Sequence, residues 1–345
     1  MIFYHKYTIK NLRLNDLVFM CSPFIQESKP VYKVCCLTIL VMMNMPTCKF
    51  VYFADTKSRQ GGGIIPDEER RNKWKDFLKR MLTLLRIRIS AVVYPLVKNH
   101  IYTTRHGLAK GLKRKGGLGF IPQITQLTQE DKFLMNLDLS GQNIYDIGGA
   151  HGLFTLFFAQ AVGKKGKVVT FEPNPELHKK IIENVKLNKF NNVEVRQIAL
   201  GKKREKATLA FLSLAPGSGS LEENITAWIL QSKGSKTVEV DVDSLDHQIA
   251  TGRSPKPDFI KIDVQGVELD VLLGMSKTIR EYLPKLFVEI HGGYTRWKAQ
   301  NLQNIVEFLI ANGYSIYHVE SGEMINLHNA HIVEENEHLY CMQAA

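Results

Sequence analysis

At its centre the chain reads Asn143-Ile144-Tyr145-Asp146-Ile147-Gly148-Gly149-Ala150-His151-Gly152, and a second apolar run, Val168-Val169-Thr170-Phe171, follows and ends in Glu172-Pro173. An apolar run, a glycine turn, a helix-like segment and a second apolar run predict one βαβ unit. The glycines let the backbone turn sharply and let a ligand approach the N-terminus of the first helix.

Two acids in this unit indicate which ligand it binds. Glu172 follows the second strand, where an acid can accept both hydroxyls of a ribose. Asp146 precedes the first glycine, where its charge disfavours phosphate and favours the amino end of a methionine-type ligand. We therefore expect S-adenosylmethionine as the cofactor. The predicted cofactor-binding residues are Asp146, Gly148, Gly149, Gly152, Glu172 and Ala199.

From Gly141 onward, predicted strands and helices alternate, which is typical of an α/β fold with a mostly parallel sheet and helices on both faces. The predicted strands are Asn143–Ile147, Lys167–Phe171, Val193–Gln197, Lys206–Phe211, Thr237–Val242, Phe259–Ile262 and Leu286–Ile290, with an antiparallel edge from Ser315–Val319 and His338–Met342. The predicted helices are Thr128–Leu137, Gly152–Val162, Pro175–Leu187, Val267–Leu273 and Lys298–Ala311.

The composition divides the chain into three predicted regions. Residues 1–65 show no sustained periodicity and predict a poorly ordered N-terminal segment, while 66–140 predict a basic helical lead-in and 141–345 the cofactor-binding domain. Residues 214–236 predict a loop that contributes acceptor contacts, and within it Ala215-Pro216-Gly217-Ser218-Gly219-Ser220 predicts a mobile lid or a surface loop.

Titratable side chains lie at or directly after the ends of four of the five predicted parallel strands: Asp146, Glu172, Asp263, and Glu289 with His291. In an open α/β sheet, ligands bind beyond these carboxyl ends. Asp263 is expected in the cleft, with an N-cap or a salt bridge to Lys261 as its alternative role. Glu268, in the first turn of the next helix, is expected to favour the helix dipole or to bind a backbone amide.

In combination, these segments resemble the FkbM-type methyltransferases, which are class I, Rossmann-like enzymes that use S-adenosylmethionine. The resemblance covers about residues 141–292. It rests on Tyr145-Asp146-Ile147-Gly148, Phe171-Glu172-Pro173, Val185 to Asn188, Ala199-Leu200-Gly201, Ser244-Leu245-Asp246, Ile260 to Val264, Gly266, Glu268 and Val288-Glu289-Ile290-His291.

The chain departs from the family pattern at two places. Gly149-Ala150 replaces the usual Ala-Asn, which removes an amide contact to the cofactor. Gln265 replaces the usual Glu, which keeps the hydrogen-bonding shape but loses the charge. His151 fills a free position of the motif, where a surface loop histidine is the simplest interpretation.

The resemblance implies O-methylation of a hydroxyl on a sugar, a glycan or a glycosylated metabolite. A hydroxyl is a poor nucleophile at neutral pH and needs a general base or a metal. Asp263 and His291 are the two candidate catalytic residues, and Glu289 could orient either one. The cysteines lack zinc-type spacing, so no metal ligands are predicted and metal dependence stays open.

The chain is basic, with a net charge of +11, and the charge is concentrated between Arg70 and Lys115, where Asp76 is the sole acid. This block predicts either peripheral association with an anionic membrane surface or a solvated helix face. No signal peptide or membrane span is evident, and we expect a cytoplasmic protein with reduced cysteines. No specific nucleic-acid partner is expected.

Two other functions remain open on the sequence. A glycine turn followed by an acid also suits an NAD(P)-dependent oxidoreductase, and Tyr294 and Lys298 supply the Tyr-x-x-x-Lys pattern of short-chain dehydrogenases. Against this, the turn lacks Gly-x-Gly spacing and carries Asp146 at its edge. An RNA-binding methyltransferase would explain the basic block, but no RNA-binding module is visible.

Overall fold

The computed structural model describes residues 99–116, 127–213, 215–252, 254–291, 296–334 and 336–343. The chain divides after His100 into two units, and nearly all described residues belong to the second, Ile101–Ala345. The segment 1–65, most of the basic block and Tyr294 lie outside the described residues.

The described chain forms fourteen strands and eight α-helices. The strands are β1 (Ile101–Thr103), β2 (Lys113–Lys115), β3 (Asn143–Ile147), β4 (Lys167–Phe171), β5 (Val193–Arg196), β6 (Ala199–Leu200), β7 (Glu205–Leu212), β8 (Ala215–Ser220), β9 (Ser235–Asp243), β10 (Phe259–Ile262), β11 (Lys285–Ile290), β12 (Tyr314–His318), β13 (Met324–Ile325) and β14 (Glu337–Gln343). The helices are α1 (Gln129–Met135), α2 (Leu153–Ala161), α3 (Pro175–Leu187), α4 (Glu223–Leu230), α5 (Leu245–Ala250), α6 (Glu268–Gly274), α7 (Ser276–Tyr282) and α8 (Arg296–Ala311). Among the described residues, no helix has the length and hydropathy needed to cross a bilayer.

The main sheet has eight strands in the order β13-β12-β14-β11-β10-β3-β4-β5. The five strands from β11 to β5 are parallel, while β14, β12 and β13 add antiparallel pairs. The strand order reverses between β3 and β10, because the chain moves outward to β4 and β5 and then returns to β10. The predicted fold class is confirmed, since this is a Rossmann-like, mostly parallel sheet.

Helices cover both faces of this sheet. Alternate residues of β3 show this most simply, because Ile144 belongs to one buried cluster and Tyr145 to another. The cluster around Tyr145 includes Leu272 of α6 and Val306 of α8, whereas the cluster around Ile144 includes Phe158 of α2. Both faces of the parallel strands are therefore buried, as their nearly continuous apolar sequences require.

A second sheet, with the order β6-β9-β7-β8, follows β5 in the chain. Strands β7 and β9 pair antiparallel over eight positions, and both are longer than the sequence predicts. The lid or surface loop predicted at Ala215–Ser220 is wrong, because these residues form β8, and the predicted loop 214–236 also contains α4. Ser220, the last residue of β8, donates a 2.6 Å hydrogen bond to the Gln265 carbonyl and so holds β8 against the loop after β10.

The helical lead-in predicted at 66–140 differs from the structure in its described part. Strands β1 and β2 form an antiparallel hairpin, and only α1 is helical there. The hairpin docks on the end of α3, since Asn188 bonds both the N–H and the carbonyl of Lys113 at 2.8 Å, and Asn184 accepts from the N–H of Lys115. These amide side chains imitate a neighbouring strand. Thr128, the first residue of the helix predicted there, is the N-cap of α1, because Thr128 and Asp131 form a reciprocal capping box.

Candidate active site

Gly148 brings the loop after β3 against the loop after β10. Its φ is +87°, and a Cβ at this position would lie 1.8 Å from the carbonyl oxygen of Asp263. Only glycine allows this approach, because any side chain would collide with backbone that cannot yield. The glycine turn thus places the first strand end next to Asp263.

The other two glycines of the turn serve packing. A Cβ on Gly149 would lie 2.4 Å from Thr170 Cγ2, and one on Gly152 would lie 3.2 Å from Ile181 Cγ1 in α3. Gly149 and Gly152 therefore let the loop settle on β4 and α3. Ala150, which lies between them, lines the pocket and adopts a φ of +44°. Direct cofactor contacts of Gly149 and Gly152 stay a prediction.

Glu172 is the central residue of the predicted cofactor site. It follows β4 and is only 5% exposed. Its Oε2 accepts from the N–H of Ala150 at 2.7 Å, and its Oε1 accepts from the N–H of Asn174 at 2.8 Å. Burial raises the pKa of this carboxyl to about 7, although the two backbone N–H groups oppose the rise. The carboxylate is therefore fixed in orientation before any ligand arrives.

Asp146 lies beneath the turn. It is 1% exposed, and its Oδ2 accepts a 2.6 Å hydrogen bond from Thr155 of α2. Its Oδ1 is buried with no hydrogen-bond partner, and burial raises the pKa of the carboxyl. Because buried carboxylate oxygens are normally paired, the free Oδ1 fits a site that receives a polar ligand group.

A pocket opens at the carboxyl ends of β3, β4 and β10. Its lining includes the predicted Gly148, Glu172 and Ala199, together with Asp263. The β7–β8 hairpin closes the opposite side with Pro216, Gly217 and Gly219. The two sheets therefore share one pocket at the place where the strand order reverses. Asp146, Gly149 and Gly152 support its floor and do not line it.

Asp263 faces this pocket from the end of β10. Its Oδ2 accepts a 3.0 Å hydrogen bond from Lys261 Nζ, and its Oδ1 accepts from Gln265 Nε2 at 3.1 Å. The alternative role of a salt bridge to Lys261 is thus present alongside exposure to the pocket. Burial alone would lower the pKa of Lys261, which is fully buried, but the carboxylates of Asp263 and Glu130 raise it overall. Lys261 therefore stays charged.

His291 lies behind Asp263, at the end of β11. Its Nδ1 is 2.9 Å from Glu268 Oε1, and its Nε2 lies 2.7 Å from Gln265 Nε2 and 3.7 Å from Asp263 Oδ1. Burial lowers the pKa of His291, but hydrogen bonds to Glu268 and Glu289 raise it overall to about 10. Glu268 also accepts from the N–H of Gly266 at 2.8 Å, the amide-binding role that the sequence suggests.

His151, which the sequence suggests is a surface loop residue, is partly buried beside α3. Its Nδ1 lies 3.4 Å from Lys180 Nζ. Burial, followed by the charges of Lys180 and Arg114, lowers the pKa of His151 to about 4, so the ring is neutral at physiological pH. His151 therefore contributes a neutral polar side chain to the glycine loop.

Sequence reasoning missed three charged groups beside this site. The sequence indicates Lys261 only as a salt-bridge partner, Glu130 only as an acid in the first turn of α1, and His338 only as part of an edge strand. In the structure His338 lies close to both Glu130 and Glu289. The alternation of β10 could have revealed Lys261, because it is a charged residue inside an apolar four-residue strand. No local signal links Glu130 to His338, which are brought together by tertiary contact alone.

Comparison with known proteins assigns this pocket to a family. Residues 146–316, which run from the glycine turn to β12, match the family model for the methyltransferase FkbM domain. The chain contains an FkbM methyltransferase domain. S-adenosylmethionine is accordingly the cofactor of this domain. The resemblance to FkbM-type methyltransferases that the sequence shows is confirmed.

Relatives of the FkbM domain carry methyltransferase names. The chain is 26% identical over 163 residues to "Methyltransferase 1" of Beauveria bassiana, with 43% of this chain and 64% of that protein covered. It is 29% identical over 154 residues to the "Hexuronic acid methyltransferase AglP" of Haloferax volcanii, with 44% and 56% covered. The chain thus spans less than two thirds of either relative. A crystal structure of the methyltransferase FkbM of Methylobacillus flagellatus shares 18% identity at a TM-score of 0.39, with 61% of this chain and 46% of that chain covered.

Proposed function

We propose that this protein is an S-adenosylmethionine-dependent O-methyltransferase that acts on a hydroxyl of a sugar, a glycan or a glycosylated metabolite. The observation that carries the proposal is the shared pocket, in which the preset carboxylate of Glu172 and the carboxylate of Asp263 face one space. One carboxylate suits a ribose and the other suits an acceptor hydroxyl.

The residues present fit the cofactor. Glu172 would accept the ribose hydroxyls, because each of its oxygens keeps lone-pair capacity beyond the backbone N–H it already binds. Asp146 does not line the pocket, but its unpaired Oδ1 would add negative charge beneath the glycine turn, which favours a cationic amino group there. The cofactor supplies an electrophilic methyl group, and the residues around it supply alignment for an in-line displacement.

In this proposal Asp263 takes the proton of the acceptor hydroxyl. Asp263 lines the pocket, whereas His291 lies behind it and is engaged by Glu268 and Gln265. His291 acts as a positioning residue, since it contacts both Glu268 and Gln265, and the Gln265 amide donates to Asp263 Oδ1. Lys261 fixes the other oxygen, so that one lone pair is aimed at the cleft.

A second cavity, of about 630 Å³, adjoins the cofactor pocket and shares Leu221 and Val267 with it. Its wall is rich in amides and carboxylates, including Asp270, Asn301 and Asn304. Such groups can bond the many hydroxyls of a sugar. This lining, and the name of the Haloferax relative as a hexuronic acid methyltransferase, support a carbohydrate acceptor. Peripheral binding to an anionic membrane surface remains a proposal that rests on the basic block.

Calorimetric titration with S-adenosylhomocysteine, with NADH in parallel, tests the cofactor. We expect binding of S-adenosylhomocysteine that is lost in Glu172→Ala, and no binding of NADH. Binding of NADH alone would overturn the proposal in favour of an oxidoreductase. Transfer of a labelled methyl group to a panel of neutral sugars and hexuronic acids, with RNA as a separate sample, then tests the acceptor.

A further inference from the structure

We propose that Glu130, Glu289 and His338 form a binding site for one divalent transition-metal ion, of the Zn²⁺ or Mn²⁺ class. The three side chains come from distant parts of the chain: the first turn of α1, the end of β11 and the start of β14. Glu289 and His338 are cross-strand partners in the β11–β14 ladder, and Glu130 lies beside them. The proposal does not rest on the proposed methyl transfer, although Glu289 also contacts His291.

The spacing of the three groups suits a metal ion. One ligand atom from each lies within 4.8 Å of the other two. His338 Nε2 is 3.4 Å from Glu130 Oε1 and 3.8 Å from Glu289 Oε2. Two ligands that each lie about 2.1 Å from a tetrahedral zinc ion are roughly 3.4 Å apart. The side chains therefore need only small adjustments to bind a common ion.

Two of the ligand atoms are buried without a hydrogen bond. They are His338 Nε2 and Glu130 Oε1, and both point into the cluster. The side chain of His338 is only 8% exposed, so water does not easily reach its ring. Buried polar atoms are nearly always paired. His338 Nε2 faces the two carboxylates at ion-pair distances but without a hydrogen bond, and at such a position a metal ion can take the place of the imidazole proton.

The other ring nitrogen of His338, Nδ1, has the kind of partner that metal-binding histidines usually have. Its Nδ1 lies 2.6 Å from Glu320 Oε1, and its backbone N–H donates to Glu320 Oε2 at 3.0 Å. Metal-bound histidines characteristically donate their second ring N–H to a carboxylate, which fixes the tautomer and the ring orientation. Glu320 thus directs the Nε2 lone pair towards Glu130 and Glu289.

A neighbouring group of similar composition, Asp263, Glu289 and His291, is a weaker candidate. There the Gln265 amide nitrogen already lies 3.1 Å from Asp263 Oδ1 and 2.7 Å from His291 Nε2. It therefore lies between the side chains that a metal ion would have to bring together. The charge of Lys261 also acts on Glu130 and Glu289, but within the described part of the chain no hydrogen bond occupies His338 Nε2 or Glu130 Oε1. One imidazole nitrogen with two carboxylates favours Zn²⁺ or Mn²⁺ over Ca²⁺, which prefers oxygen ligands alone.

The test is metal titration of the full chain after treatment with a chelator. Zn²⁺ is titrated by calorimetry, and Mn²⁺ by loss of its free-ion electron paramagnetic resonance signal, each without cofactor or acceptor. We expect one ion per chain, with affinity reduced at least about tenfold in both Glu130→Gln and His338→Gln. Glu130→Gln is nearly isosteric and lies at the start of a helix, so it keeps the test open if His338→Gln fails to fold.

Two further variants serve as controls. His247→Gln removes another histidine with a carboxylate neighbour, Asp243, and should leave the affinity unchanged. His291→Gln removes the histidine of the neighbouring group and should also bind normally. The proposal is overturned if neither ion binds at 1 mM, which is about −4.1 kcal/mol. It is equally overturned if binding survives in both Glu130→Gln and His338→Gln, or if it depends on His291 instead.

Discussion

The backbone N–H of Ala150 donates a 2.7 Å hydrogen bond to Glu172 Oε2, which ties the loop after β3 to the end of β4. The carboxylate that we expect to bind the ribose is therefore also a brace of the glycine turn. Loss of Glu172 removes a ligand contact and loosens the loop that surrounds the ligand, so its effects should exceed those of a simple contact residue.

Glu172→Gln should weaken binding of S-adenosylhomocysteine by roughly 10- to 100-fold, because a hydrogen bond to a charged group contributes about 1.5–3 kcal/mol. The amide keeps the size of the carboxylate but replaces one acceptor with a donor that faces a backbone N–H. Calorimetry measures the change. Glu176→Gln, at an exposed position of the next helix, is the matched control and should bind as the wild type does. Equal affinities of the two variants for S-adenosylhomocysteine would show that Glu172 does not bind the cofactor.

Cofactor affinity should fall as the pH drops through about 7, since that is the pKa to which burial raises the Glu172 carboxyl. Ribose hydroxyls donate to the ionised form, so binding favours deprotonation and weakens when the carboxyl gains a proton. Titrations with S-adenosylhomocysteine between pH 5.5 and 8.5 would show the trend. Glu172→Gln should lose the inflection near 7, and an inflection that persists in this variant must come from another group.

Asp263→Asn should lower kcat by about 10²- to 10⁴-fold, the usual contribution of a positioned general base. The affinity for S-adenosylhomocysteine should change by less than about threefold, because the proposed role of Asp263 is towards the acceptor. Single-turnover transfer of labelled methyl gives the rate, and Asp241→Asn, an exposed residue of β9, is the control. Turnover at the wild-type rate would refute the role of Asp263. Thermal unfolding of Asp263→Asn checks that the fold remains stable when the buried Lys261 loses its carboxylate partner.

Gly148→Ala should destabilise the fold by about 3 kcal/mol or more, because a left-handed backbone and a collision with the Asp263 carbonyl act together. Gly163→Ala is the control. Gly163 has a φ of +65°, but a Cβ there meets nothing within 4 Å, so only the cost of about 1–2 kcal/mol for the backbone conformation applies. Urea unfolding of both variants gives the difference. Similar values would show that the loop can move away from β10.

The parallel half of the sheet could be predicted because its signals are local. Strands β3, β4 and β10 have the bounds expected from their apolar runs, and α3 has those expected from its Asn174-Pro175 start. Strand β8 could not be predicted, since Ala-Pro-Gly-Ser-Gly-Ser is a turn-forming composition. It is a strand because β7 pairs with it and Ser220 fastens its end. The β1–β2 hairpin is similar, as its short strands depend on the amides of Asn184 and Asn188.

The candidate site also contains features that the sequence predicts and features that it does not. Glu172 and Asp263 follow apolar strands in the sequence, so their meeting at one edge of the sheet follows from the topology. The roles of Gly149 and Gly152 could not be separated from that of Gly148, because only the packing of α3 distinguishes them. The Glu130–His338 approach depends on how α1 settles on a sheet whose last strand arrives from the far end of the chain.

That last strand has a consequence for biosynthesis. β14 lies between β11 and β12, yet it follows every other described strand in the chain. While residues 337–343 are still inside the ribosome, the emerging chain must present the unpaired edges of β11 and β12 together. Open strand edges recruit other chains. The nascent protein therefore passes through a stage at which chaperone protection matters most, and it ends only when this segment inserts between its two neighbours.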